Sequence, residues 1–269
     1  MTRDQALAFL LSRLDYERAP LPYGEQTLKL ARMRELLARL ASPQDRYPVV
    51  HVAGTKGKGS TSAMLAAILS AAGKRTGLYT SPHLERVEER IAVDGRQCTG
   101  DEFAALVERV ATVVTSMDAM AERDQDGEWR PTFFETVTAL AMLHFADKQV
   151  DVAVLEVGLG GRLDSTNVCN PAVCIITSIS FDHTQQLGAT LGAIAREKAG
   201  ILKPGVPAVC GVTESEPREA IESVAREVGA PLIVPHADFD FTYHAPSDGR
   251  SSVRAHADFR CRTANGWQE

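Results

Sequence analysis

Two apolar runs constrain the fold most: residues 150–157 (VDVAVLEV) and 172–179 (AVCIITSI). Each is almost continuous in Val, Leu, Ile and Ala over strand length. They lack the strict alternation of a half-wet strand, so each predicts a central parallel strand covered on both faces. Around them, strand-length runs alternate with longer segments of helical period. Residues 48–53, 76–80, 207–212 and 232–234 predict further strands; 60–72, 132–146, 190–202 and 215–228 predict helices. Ile91 to Val93 followed by Asp94-Gly95 predicts a hairpin turn, and Thr99 with Glu102 three residues on predicts a capping box opening a helix through about Met117. Residues 121–130 (AERDQDGEWR) are polar and predict a surface loop. The alternation specifies an α/β fold with a mainly parallel sheet flanked by helices, and ligands of such sheets sit at the carboxyl ends of the strands.

Composition removes several classes. With 29 Lys+Arg against 35 Asp+Glu, the formal net charge of -6 has the wrong sign for binding nucleic acid through phosphate neutralisation. Five cysteines without a C-x-x-C pair read as buried or free thiols of a reducing compartment rather than a disulfide framework or zinc site, in a chain expected to be cytoplasmic. Residues 1–14 carry Arg3, Asp4 and Arg13 around a short apolar stretch, which predicts a helix of the fold rather than a secretory signal. No run reaches the roughly 18 apolar residues of a membrane span. Residues 1–235 are expected to form one domain; 236–269 read as a polar tail with at most two short strands.

The polar residues that follow the strands carry the chemistry. After the first strand comes Gly54-Thr55-Lys56-Gly57-Lys58-Gly59-Ser60. Glycines let successive N–H groups point at a phosphate, the following helix adds its positive end, and lysine adds a mobile cation. The loop departs from G-x-x-x-x-G-K-[ST]: Val52 stands at the first glycine and Gly59 separates Lys58 from Ser60. Glu156 ends the most apolar strand, where a nucleotide-bound magnesium needs an oxygen ligand; pairing with Arg162 is the structural alternative. Ser81 follows the neighbouring strand and is equally a turn residue. His183 follows the next strand, where a lone histidine is as readily structural. Lys198, within REKAG, reads as a solvated charge from spacing alone. Phe133 and Phe134 cannot both face one core stripe of a helix, which leaves one for a ligand or for separate packing.

HVAGTKGKGS, LYTSPHL, TFFE, EVGLGGRLDSTN, SFDHTQQLG and REKAGILKPG, in that order, resemble the folylpolyglutamate synthase and dihydrofolate synthase family, a branch of the Mur-ligase-like ATP-dependent amide ligases. The resemblance runs over residues 21–212. It implies a P-loop NTPase-like α/β domain of the Mur ligase central type. The implied activity is ATP-dependent phosphorylation of a folate or dihydropteroate carboxylate, followed by attack of L-glutamate. By resemblance, Gly54 to Ser60 bind ATP; Lys58, His183 and Lys198 act in catalysis; Ser81 and Glu156 hold one magnesium and His183 a second. Lys198 matches the family's carbamylated lysine. Thr132, Phe133, Phe134, Glu135, Leu163, Asp164 and Ser165 match segments that contact the pterin substrate. Lys56 stands where the family usually has asparagine. Family members also carry a C-terminal α/β domain that closes over the ATP site and helps bind glutamate, so a chain truncated before that domain is expected, acting as a monomer on small molecules. The alternative is a nucleotide-binding fragment without ligase activity of its own. A cell-wall ligase is disfavoured by EVGLGGRLDSTN and DHTQQLG.

Overall fold

The computed structural model describes residues 1–15, 24, 28, 30–125, 127–245, 256–263 and 266–268. Its elements are, in chain order, α1 (Arg3–Leu11), α2 (Leu30–Arg39), β1 (Val49–Ala53), α3 (Lys58–Ala71), β2 (Thr76–Tyr79), β3 (Ile91–Val93), β4 (Arg96–Gln97), α4 (Gly100–Arg123), α5 (Phe133–Asp147), β5 (Val152–Glu156), β6 (Pro171–Ile176), α6 (Thr184–Leu187), α7 (Leu191–Ala199), β7 (Ala208–Cys210), α8 (Ser215–Val228), β8 (Leu232–Ile233), β9 (Phe239–His244), β10 (His256–Thr263) and β11 (Gly266–Gln268).

Eight strands form one sheet in the order β4-β3-β2-β5-β1-β6-β7-β8. From β2 to β8 the pairing is parallel, and the β3–β4 hairpin extends the β2 edge antiparallel. The two apolar runs flank β1, in the middle of the sheet, as their composition predicts. Asp94 and Gly95 both take positive φ (50° and 74°), the conformation that a tight two-residue hairpin demands.

The pleat sorts side chains between two layers. Val52 and Val154 join the cluster beneath α3, while Val49, Ala153 and Leu155 join the larger cluster with α1, α2, α4 and α5. Burying such apolar surface is worth about 25 cal/mol per Å². Glu156 shares the parity of Val154, so the period of two directs its carboxylate to the α3 side of the sheet. A third cluster joins β6 and β7 to α7 and α8.

Several boundaries differ from those predicted. α4 runs to Arg123, into the expected surface loop, because Ala121 lies buried on its core face. α2 lies where no element is predicted; Met33, Leu36 and Leu37 are its buried stripe. α3 begins at Lys58 rather than Ser60, and β6 stops at Ile176, freeing Thr177 to Ser180 as a loop. The tail holds three strands rather than at most two, an antiparallel sheet in the order β11-β10-β9. Its residues 246–255, 264, 265 and 269 lie outside the described residues, as does residue 21, where the family resemblance starts. Among the described residues no helix is long and apolar enough to cross a membrane.

Candidate functional site

The site is assembled at the carboxyl ends of β1, β2, β5 and β6. Helices α1, α4, α5 and α7 each have a threonine N-cap whose hydroxyl accepts from a first-turn amide. α3 has none: its N-cap is Gly57, left-handed at φ 80°, and no side chain caps it. The first amides of a helix have no intrahelical acceptor. Those of Lys58, Gly59 and Ser60 therefore present a positive helix end suited to an anion.

The loop that leads into α3 is held from behind. Thr55 N–H donates to the Ser178 carbonyl at 2.7 Å, and Lys56 N–H donates to Ser178 Oγ at 3.2 Å. Thr177 Oγ1 donates to the Lys56 carbonyl at 2.8 Å, and Ser180 N–H donates to Thr55 Oγ1 at 3.1 Å. Gly54 has φ 148°, and a Cβ there would stand 2.0 Å from Thr177 Oγ1. Only glycine fits that approach. Thr177 and Ser178 lie within the second apolar run and Ser180 directly follows it, and sequence reasoning assigns none of the three a role at the site. Ser180 Oγ is buried without a hydrogen-bond partner among the described residues.

Glu156 faces this helix end. It is 4% exposed, its Oε2 accepts from Ser81 N–H at 3.1 Å, and a Cβ on Gly59 would lie 3.4 Å from the same oxygen. Burial pushes its pKa above the usual carboxylate range, opposed by the Ser81 amide and the Lys58 charge. Ser81 and Glu156 are thus neighbours through the Ser81 backbone amide. Arg162, the alternative partner of Glu156, lies 3.1 Å from Glu197.

Lys198 is not a solvated charge. It is 3% exposed, and its Nζ donates to the Gly54 carbonyl at 2.9 Å. Burial lowers its pKa to about 8; Lys58 adds to the fall, and Asp182 and Asp164 oppose it. Its helix end is fixed by the glycine-rich loop after β5: Arg162 N–H donates to the Glu197 carbonyl at 2.8 Å, and a Cβ on Gly161 would stand 2.7 Å from the Lys198 carbonyl. Lys58 is half-buried, with Nζ 3.4 Å from the Thr55 carbonyl. Lys56 is exposed. His183 is left-handed at φ 47°, precedes α6, and holds Nε2 3.7 Å from Asp182 Oδ1.

The remaining positions divide. Phe133 is buried under the Arg90 guanidinium, whose carbon lies 5.5 Å from the ring centroid. Phe134 packs against Gly158 and Tyr79, so the second aromatic reaches the carboxyl end of β5. Glu135 is committed to the fold: it accepts from Thr132 N–H at 2.8 Å and pairs with buried Arg32 at 2.8 Å. Arg32 was not anticipated, since a partner 103 positions away leaves no local signal. Asp164 is buried and accepts from the amides of Gly158 (3.0 Å), Leu159 (2.9 Å) and Thr166 (2.9 Å), which shapes the loop. Leu163 and Ser165 flank it, both buried.

Residues 95–227 match the Mur ligase middle domain. The chain is 44% identical over 204 residues to the dihydrofolate synthase/folylpolyglutamate synthase of Bacillus subtilis (strain 168), covering 76% of this chain and 46% of that protein. It is 44% identical over 180 residues to the folylpolyglutamate synthase of Lacticaseibacillus casei, covering 67% of this chain and 41% of that one. Among solved structures, an FPGS–AMPPCP–folate complex superposes with a TM-score of 0.82 at 32% identity, over 99% of this chain and 60% of that chain. Mycobacterium tuberculosis folylpolyglutamate synthase complexed with ADP gives 0.82 at 32%, over 98% and 56%. The chain therefore spans less than half the length of these two curated relatives.

Proposed function

Because the chain belongs to the folylpolyglutamate synthase and dihydrofolate synthase family, we propose that it is the ATP-binding part of a ligase that joins L-glutamate to a folate or dihydropteroate carboxylate. The observation that carries this reading is the uncapped amino end of α3, facing Glu156 across Gly59 and bordered by Lys58 and Lys198. That constellation suits a polyphosphate and its cation. The solved relatives complexed with AMPPCP or ADP support the choice of ATP.

In the proposed reaction the acceptor carboxylate takes the terminal phosphoryl group of ATP, giving an acyl phosphate and ADP. The glutamate amine then attacks the acyl carbon, and phosphate leaves as the amide forms. Two anions must be brought together, so most of the catalysis is positioning and charge neutralisation. The amides of Gly57, Lys58, Gly59 and Ser60 hold the phosphates, and Lys58 neutralises the group being transferred. Thr55 and Lys56 shape the loop through their bonds to Ser178.

The residues fit magnesium: a buried carboxylate aimed at the helix end, with a serine beside it, supplies the hard oxygen donors that ion prefers. Glu156 and Ser81 would hold one ion and His183 a second, and the ions supply charge neutralisation of the phosphates. Lys198 is proposed to act as its carbamate, and a buried amine with pKa near 8 supports this because only the neutral amine takes up carbon dioxide. Phe134, Leu163 and Ser165 are proposed to meet the pterin, with Thr132, Glu135 and Asp164 shaping its walls. Five free thiols support a cytoplasmic setting.

Glutamate-dependent ADP release tests the proposal. It is measured on a protein carrying this sequence across the full length of its relatives, with dihydropteroate and then tetrahydrofolate as acceptor. Release with at least one acceptor is expected; ADP release indifferent to glutamate and to both acceptors contradicts it.

A further inference from the structure

Cys98, Glu102 and His144 converge at the antiparallel edge of the sheet, where β4 passes into α4. Cys98 follows β4, Glu102 lies in the first turn of α4 and His144 in the last turn of α5. One ligand atom from each lies within 4.8 Å of the other two; Cys98 and His144 are buried and Glu102 is half-buried. A groove of about 500 Å³, lined in part by Thr99, Glu102, His144 and Lys148, opens the cluster to solvent. The place already holds a cation. Lys148 pairs with Glu102 Oε1, while Oε2 accepts from Thr99 N–H at 2.9 Å.

We infer that this cluster is a binding site for a divalent transition metal of the zinc type, separate from the phosphate loop. Thiolate sulfur, imidazole nitrogen and one carboxylate oxygen are the donor set of zinc and cobalt, not of magnesium. Donors bound at about 2.0–2.3 Å in a tetrahedron stand roughly 3.3–3.8 Å apart, so small side-chain adjustments close the observed spacing. On binding, the Cys98 thiol gives its proton to solvent as the sulfur–metal bond forms. The Lys148 ammonium leaves Glu102 for the groove with its charge unchanged, and a water entering from the groove takes the fourth position. The bound ion ties the start of α4 to the end of α5. A second gathering, His244, His256 and Asp258 on β9 and β10, lies at the surface and has no thiol among its members.

Titration of the reduced chain with Co²⁺, followed by absorption, tests the site. A thiolate-to-cobalt charge-transfer band at one equivalent is expected. It is lost in Cys98→Ser, weakened roughly tenfold or more in affinity in His144→Gln, and unchanged in His256→Asn. No band, or a band that survives in Cys98→Ser, overturns the site. Because substitutions at 98 and 144 disturb buried positions, Lys148→Met provides an arm at a half-exposed one. Removing the competing ammonium tightens cobalt binding; unchanged or weaker binding overturns the exchange of Lys148 for metal at Glu102.

Discussion

The ammonium of Lys198 donates to the carbonyl of Gly54 at 2.9 Å, joining α7 to the phosphate loop across 144 positions of the chain. A lysine in that place is deprived of water, and its pKa falls to about 8. Carbamylation joins carbon dioxide to the neutral amine and releases a proton. At fixed dissolved carbon dioxide, carbamate should therefore rise from about pH 6.5 to about pH 8.5. Carbon-13 NMR with labelled carbon dioxide should show a pH-dependent resonance that Lys198→Met removes. A resonance that persists in that variant would locate the adduct elsewhere.

The same shift carries a stability consequence. The folded-state pKa of Lys198 lies below the ordinary value of 10.5, so between about pH 8 and 10.5 the unfolded chain binds more protons than the native one. Lys198 therefore makes stability rise with pH across that window, and its full penalty is felt below it. Urea unfolding of Lys198→Met should show a flatter pH dependence than the parent chain over that range. An equally steep profile would mean that the lysine is not buried in its charged state.

Gly54→Ala should destabilise the chain by about 1–3 kcal/mol, because the new methyl meets Thr177 Oγ1 at 2.0 Å on a backbone at φ 148°. Thr177→Ala in the same chain removes that oxygen and should recover part of the loss. Chemical denaturation of the two single variants and the double variant checks this; additive losses would show that the two side chains do not meet.

Arg32→Met should cost about 3–5 kcal/mol, since it leaves the Glu135 carboxylate buried without its ion pair. Adding Glu135→Gln should recover a large part, because a neutral amide still accepts from Thr132 N–H. Thermal unfolding of the series distinguishes this from a surface pair, which would move stability by well under about 1 kcal/mol.

What was legible in the sequence follows the range of the interactions involved. The continuous apolar character of β5 and β6 follows from burial on both faces. The glycine and lysine pattern of residues 54–60 is local chemistry, readable because it sits between a strand and a helix. Thr99 and Glu102 announce α4, but its end was hidden because the polar residues after Met117 outweigh one buried alanine, Ala121. The amphipathic pattern of α2 was present in Met33, Leu36 and Leu37. Lys198 and Arg32 are different in kind. Each is charged and looks solvated in its own helix, and only partners more than a hundred positions away show that it is buried.

The central claim is that the amino end of α3 binds the phosphates of ATP, and calorimetric titration with magnesium and a non-hydrolysable ATP analogue tests it most directly. The account predicts that Lys58→Ala weakens binding by about 1.5–3 kcal/mol, roughly 10- to 150-fold, while changing folding stability by less than about 0.5 kcal/mol. Nucleotide affinity unchanged in a folded Lys58→Ala chain would contradict it.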